Sequence, residues 1–143
     1  MPVLTLRFMK AKNWIPSLLV AAMALIAGVT YACNSSTPNE GEPITAAKFD
    51  ETIASSKLTM VDFYTTWCGP CKRMDPFVKQ IAADMADQVT VLQIDAEAQM
   101  DIADRYRLQG YPTLIFFKGG QVVYTSLGYQ DYEGIQSLVN KYK

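Results

Sequence analysis

From Ile44 onward the apolar positions change period several times, and each change marks an element. In AAKFDETIA (residues 46–54) Phe49 and Ile53 stand four apart, one stripe of a short helix whose polar remainder faces solvent. TMVDFYT (59–65) is dense in β-branched and aromatic residues, the pattern of a central strand buried on both faces. From residue 70 to 87, Met74, Phe77, Ile81 and Met85 recur at threes and fours, an amphipathic helix in which Pro76 deletes one backbone donor. A strand TVLQID (90–95), a short helix about 100–106 and a strand TLIFFK (113–118) follow. Gly119 and Gly120 then turn the chain into a last strand, QVVYTSL (121–127), and Asp131 caps a final helix ending near Tyr142. This order predicts an α/β domain over residues 44–143. A central mixed sheet is flanked by helices on both faces, and its first two long strands run parallel through a crossover helix.

The first 32 residues follow a different rule. Arg7, Lys10 and Lys12 precede an apolar run from Ile15 to Ala32 without a charge, the layout of a secretory signal. The run ends in TYAC, a small residue directly before Cys33, and the polar stretch NSSTPNEGEP follows. This resembles the lipobox of bacterial lipoproteins, with Thr30 and Tyr31 where leucine and a small residue are usual. It implies a lipid on Cys33, with residues 33–43 as lipidated cysteine and flexible tether. Plain cleavage after Ala32 and an uncleaved anchor are the alternatives, and all three put the remaining chain outside the cytoplasm. The expected location is the periplasmic face of a bacterial membrane, or, without lipid, the periplasm or the medium.

Charge narrows the field of partners. Thirteen basic residues stand against fourteen acidic ones, and removing the leader leaves ten against fourteen, so no basic field is available to hold nucleic acid. Histidine is absent, which removes the usual general base and the usual metal ligand together.

The chemistry concentrates in TTWCGPCKRM (65–74). Cys68 and Cys71, three apart at the start of a helix, can bring their sulfurs to bonding distance. The bare N–H groups of that first turn favour thiolate at Cys68, while Cys71, one turn on, is expected to be more buried and less acidic. A structural disulfide over so short a loop would constrain the unfolded chain little. No metal site is expected, since about four ligands are needed and the third cysteine lies in the leader. A redox-active pair remains. Asp62, a carboxylate inside an apolar strand leading to that pair, is costly unless used. Burial would raise its pKa and suit it to accept the Cys71 proton, against the plainer reading of a tolerated buried acid.

With these residues in view, the segment from about Ile44 to Lys143 resembles thioredoxin: VDFYTTWCGPCK, the proline of KRMDPF, VLQIDAE, YRLQGYPTLIFFKGG and SLGY occur in the family's order. The resemblance implies the thioredoxin fold with Pro112 in cis, Cys68 as attacking nucleophile, Cys71 as resolving thiol and Asp62 as the buried acid. The two cysteines would form the redox-active disulfide. It implies further a shallow docking surface of Trp67, Gly69, Pro70, Gly110 and Gly128, with the backbone of Tyr111 pairing to an extended substrate. Two positions depart from the family: Val91 stands where a lysine usually approaches the buried acid, and Tyr64 where a tryptophan is common.

Gly69 and Pro70 between the cysteines resemble the reducing members, so the expected activity is a monomeric protein-disulfide reductase with no cofactor. Its partners would be disulfide-containing or thiol client proteins and a membrane thiol-disulfide electron donor, the latter because that compartment favours disulfides. The same chemistry run as oxidase or isomerase, and a redox-silent docking module using the loop beside Pro112, are the competing readings.

Overall fold

The computed structural model describes residues 43–143; the leader, Cys33 and the spacer through residue 42 lie outside the described residues. Helix α1 (Ala46–Ile53) starts where the Thr45 hydroxyl accepts from the Lys48 amide at 3.2 Å. It turns Phe49 and Ile53 inward, the stripe predicted from their spacing. Strand β1 (Leu58–Tyr64) is followed by helix α2 (Gly69–Asp84), strand β2 (Val89–Asp95) and the one-turn helix α3 (Met100–Ala103) with a 3-10 turn, Asp104–Tyr106. Strands β3 (Thr113–Lys118) and β4 (Gln121–Leu127) and helix α4 (Tyr132–Tyr142) complete the domain. Asp131 caps α4 by accepting from the Gly134 amide at 2.9 Å.

The sheet runs β2-β1-β3-β4, with β1 parallel to β2 and antiparallel to β3, and β3 antiparallel to β4. The parallel pair brackets α2, as the alternation of helix and strand predicts. Gly119 and Gly120, at φ of 57° and 77°, make the tight β3–β4 turn that residues with a Cβ rarely adopt. Their amides also donate to the carbonyls of Ser55 and Ile53, each at 2.8 Å, tying the turn to the end of α1.

Strand alternation sorts the apolar side chains into two cores. Val61 and Phe63 of β1, Leu92 and Ile94 of β2, and Ile115 and Phe117 of β3 face α1 and α3. Leu58 and Met60, Val89, Leu114 and Phe116 face α2 and α4, where Met74, Val78, Ile81, Ile135 and Val139 meet them. The α2 stripe differs from expectation by one position. Val78 is fully buried and Phe77 lies at the margin, because the face at residues 71, 74, 78 and 81 is the one turned to the sheet. Tyrosine rings fill gaps in both cores: Tyr106 lies 5.5 Å from Phe63 and 5.4 Å from Phe117 between ring centroids, and Tyr124 stacks on Tyr142 at 5.0 Å. Among the described residues no helix is long and apolar enough to cross a membrane.

Candidate active site

Strand β1 ends at Tyr64 and α2 begins at Gly69, so the four residues between them carry the first cysteine onto a helix terminus. Cys68 is the N-cap of α2: its backbone is extended, and its sulfur accepts from the Cys71 amide at 3.1 Å. Pro70 occupies the first turn, where a missing N–H costs nothing. The helix continues through Pro76 to Asp84. Cys68 and Cys71 form a disulfide with their Cα atoms 5.3 Å apart. They are equally buried, at 4% and 5% exposure, which corrects the expectation that Cys71 lies deeper. The Cys68 sulfur lies back over the helix's first turn, where the Cys71 amide donates to it.

The residues expected around this pair are brought together in part. The Tyr111–Pro112 bond is cis, and the Pro112 carbonyl accepts from the amide of Gly128 at 2.8 Å. Gly128 sits at φ +96°, so its place beside Pro112 depends on having no Cβ, although a Cβ there would meet no atom. Trp67 is 67% exposed, meets the Tyr111 ring edge-on at 6.2 Å, and donates its indole N–H to Glu97 at 2.9 Å. Gly69 is exposed beside it, while Pro70 and Gly110 are half-buried. Thr113 closes the loop ahead of Pro112 by donating to the Gly110 carbonyl at 2.7 Å.

Asp62 lies in β1 between β2 and β3, only 2% exposed, on the same sheet face as Met60 and hence under α2. Burial pushes its pKa from 3.8 to about 7; a hydrogen bond from Gln93 opposes the rise and the charge of Asp75 adds to it. Gln93, opposite Asp62 in the β1–β2 register, donates to Asp62 Oδ2 at 3.3 Å and to Asp75 Oδ1 at 3.0 Å. Val91, the position of the absent lysine, instead pairs with Met60 in the register and packs into the α2/α4 core. Gln93, Asp75 and Glu97 are the site residues that the sequence reading did not single out. For Gln93 and Asp75 a signal existed: Gln93 is two along from Val91 on one strand face, and Asp75 is four along from Cys71 on one helix face.

A buried vicinal disulfide-forming pair at a helix N-terminus, a buried carboxylate with a raised pKa and a cis-proline loop define a thiol–disulfide exchange protein. The thioredoxin family model matches residues 41–141. The chain is 36% identical to the thioredoxin of Bacillus subtilis over 88 residues, which cover 62% of this chain and 85% of the relative. It is likewise 36% identical to the thioredoxin of Staphylococcus aureus over 99 residues, covering 69% and 94%. Among solved structures it resembles the Malassezia sympodialis thioredoxin (TM-score 0.64, 30% identity, 68% of this chain and 85% of that one). The Plasmodium falciparum thioredoxin matches similarly (TM-score 0.63, 30% identity, 68% and 94%). The chain belongs to the thioredoxin family. It is a thioredoxin-type thiol–disulfide oxidoreductase with the CxxC pair of a disulfide reductase.

Proposed function

We propose that the mature protein is a monomer held at the periplasmic face of a bacterial membrane by lipid on Cys33, and that it reduces disulfides of extracytoplasmic clients. The observation that carries the location is the charged, then apolar leader ending in a small residue and Cys33, followed by a polar spacer ahead of a complete catalytic domain. The direction is supported by Gly69 and Pro70 between the cysteines and by relatives that are themselves thioredoxins. Electrons come from a membrane thiol carrier, because the compartment supplies oxidant and no reductant.

In the proposed cycle the Cys68 thiolate attacks one sulfur of a client disulfide and expels the other as thiolate, which takes a proton from solvent. Cys71 gives its proton to Asp62, directly or through water, and attacks Cys68 Sγ, releasing the second client sulfur as a thiolate that takes up the proton from Asp62 or solvent. The client gains two electrons and two protons, and the protein is left with the Cys68–Cys71 disulfide. The amides at the start of α2 stabilise the Cys68 anion. The edge formed by Trp67, Gly69, Pro70, Tyr111, Pro112 and Gly128 receives the client segment. Tyr111 offers backbone for strand-like pairing and Trp67 an apolar face oriented by Glu97.

The test is to express Cys71→Ser in a bacterial host with the leader intact, trap mixed disulfides and identify what is attached to Cys68. Secreted proteins bound through Cys68, and lost in Cys68→Ser, are the expected result. Trapping of cytoplasmic proteins alone would overturn the location. An equilibrium with glutathione lying far on the oxidising side would overturn the direction.

A further inference from the structure

We infer that Gln93, held between the carboxylates of Asp62 and Asp75, is a positioning residue that fixes which oxygen of Asp62 exchanges a proton and couples that exchange to a surface charge. This rests on the proposed cycle, in which Asp62 takes the Cys71 proton. A primary amide has two N–H bonds, and Gln93 spends both on carboxylates: 3.3 Å to Asp62 Oδ2 and 3.0 Å to Asp75 Oδ1. Asp62 Oδ1 is buried, and no group among the described residues hydrogen-bonds it. With Oδ2 engaged by a donor, a proton arriving at Asp62 lands on Oδ1.

The far end of the bridge reaches solvent. Asp75 is half-exposed, and its Oδ2 lies 3.3 Å from the Lys79 ammonium. Asp62 is therefore joined to the outside by one neutral amide and one carboxylate, where family members with a lysine would put a cation. The groups facing it are few. Helix α2 offers Asp75, β2 offers Gln93, β1 adds Tyr64, on which Asp95 and Lys79 also act, and the position opposite on β3 is the apolar Leu114. The bridge exerts two opposed effects. The amide hydrogen bond favours ionised Asp62, and the Asp75 charge disfavours it.

Removing either component should move the Asp62 midpoint in opposite directions. Gln93→Leu deletes the donor and raises it by about one pH unit, slowing resolution of a mixed disulfide up to about tenfold below that midpoint. Asp75→Asn keeps an acceptor for Gln93 but removes the charge, and lowers the midpoint. The measurement is carboxyl-carbon NMR titration of the oxidised full chain, wild type and both variants, alongside pH–rate profiles of insulin reduction. A packing role for Gln93 would change melting and leave the midpoint in place. A midpoint unmoved in both variants overturns the proposal, and Asp75→Asn, an isosteric change at a half-exposed side chain, gives that reading even where Gln93→Leu folds poorly. Shifted midpoints with unshifted rate profiles overturn the coupling to exchange. If the wild type leaves insulin oxidised, the proposed cycle fails instead, while the NMR shifts still decide what Gln93 does.

Discussion

Asp62→Asn isolates the energetic cost of keeping a carboxylate in the core. The unfolded chain titrates this group near 3.8 and the folded chain at about 7, because burial disfavours the anion. Between those values the folded state holds a proton that the unfolded state has released, so stability falls as pH rises through the window. Well below pH 3.8 the group is neutral in both states and costs nothing as a charge. Above pH 7 the full difference applies: about three pH units at about 1.36 kcal/mol each, or about 4 kcal/mol. Asparagine has nearly the same shape and no charge, so the stability of Asp62→Asn relative to wild type should rise by about 4 kcal/mol between pH 4 and pH 8.5. Any pH-independent loss from placing an amide N–H at the unpartnered Oδ1 position shifts the whole curve and cancels in the comparison. The assay is equilibrium urea unfolding of the oxidised full chain at several pH values in that range. If the wild-type and Asp62→Asn curves run parallel, Asp62 is not held neutral by its surroundings and its role as proton acceptor near neutrality loses its basis.

Two further outcomes are expected. Gly128→Ala should lower stability by about 1 to 2 kcal/mol through backbone strain alone, since the new Cβ has open space at φ +96°; thermal or urea unfolding reads it, and an unchanged midpoint would show that the loop beside Pro112 relaxes freely. Cys33→Ser should release the mature protein from the membrane fraction, and intact mass of the wild type should exceed that of the unmodified chain by acyl groups; a mass matching free cysteine refutes the tether.

What could be read from the sequence was whatever is odd for its place. Asp62 interrupts an apolar strand, Cys68 and Cys71 bracket Gly69 and Pro70 at a helix start, and Gly119 and Gly120 separate two β-rich runs. Each of these oddities marks a feature of the structure. Gln93, Asp75 and Glu97 are ordinary for their elements, polar positions on a half-exposed strand, helix and turn. Their meaning comes from register: Gln93 matters because it lies opposite Asp62, and a shift of one residue would turn it to the other face. The same limit explains the α2 stripe, where Phe77 and Val78 are both apolar and only the packing angle decides which is buried. The equal burial of the two cysteines is likewise a matter of packing around the disulfide, which the spacing of the pair does not specify.

The link between the β3–β4 turn and the end of α1 has a mechanical side. The chain enters the domain at Ile44, whose carbonyl is gripped by the buried Gln99, and the first helix beyond it is latched at its far end by the amides of Gly119 and Gly120. Tension applied ahead of Ile44 is thus shared with a hairpin and a buried side chain before it reaches β1. If the proposed anchor at Cys33 pulls on the domain, it meets these contacts before the strand that carries the chain to Cys68.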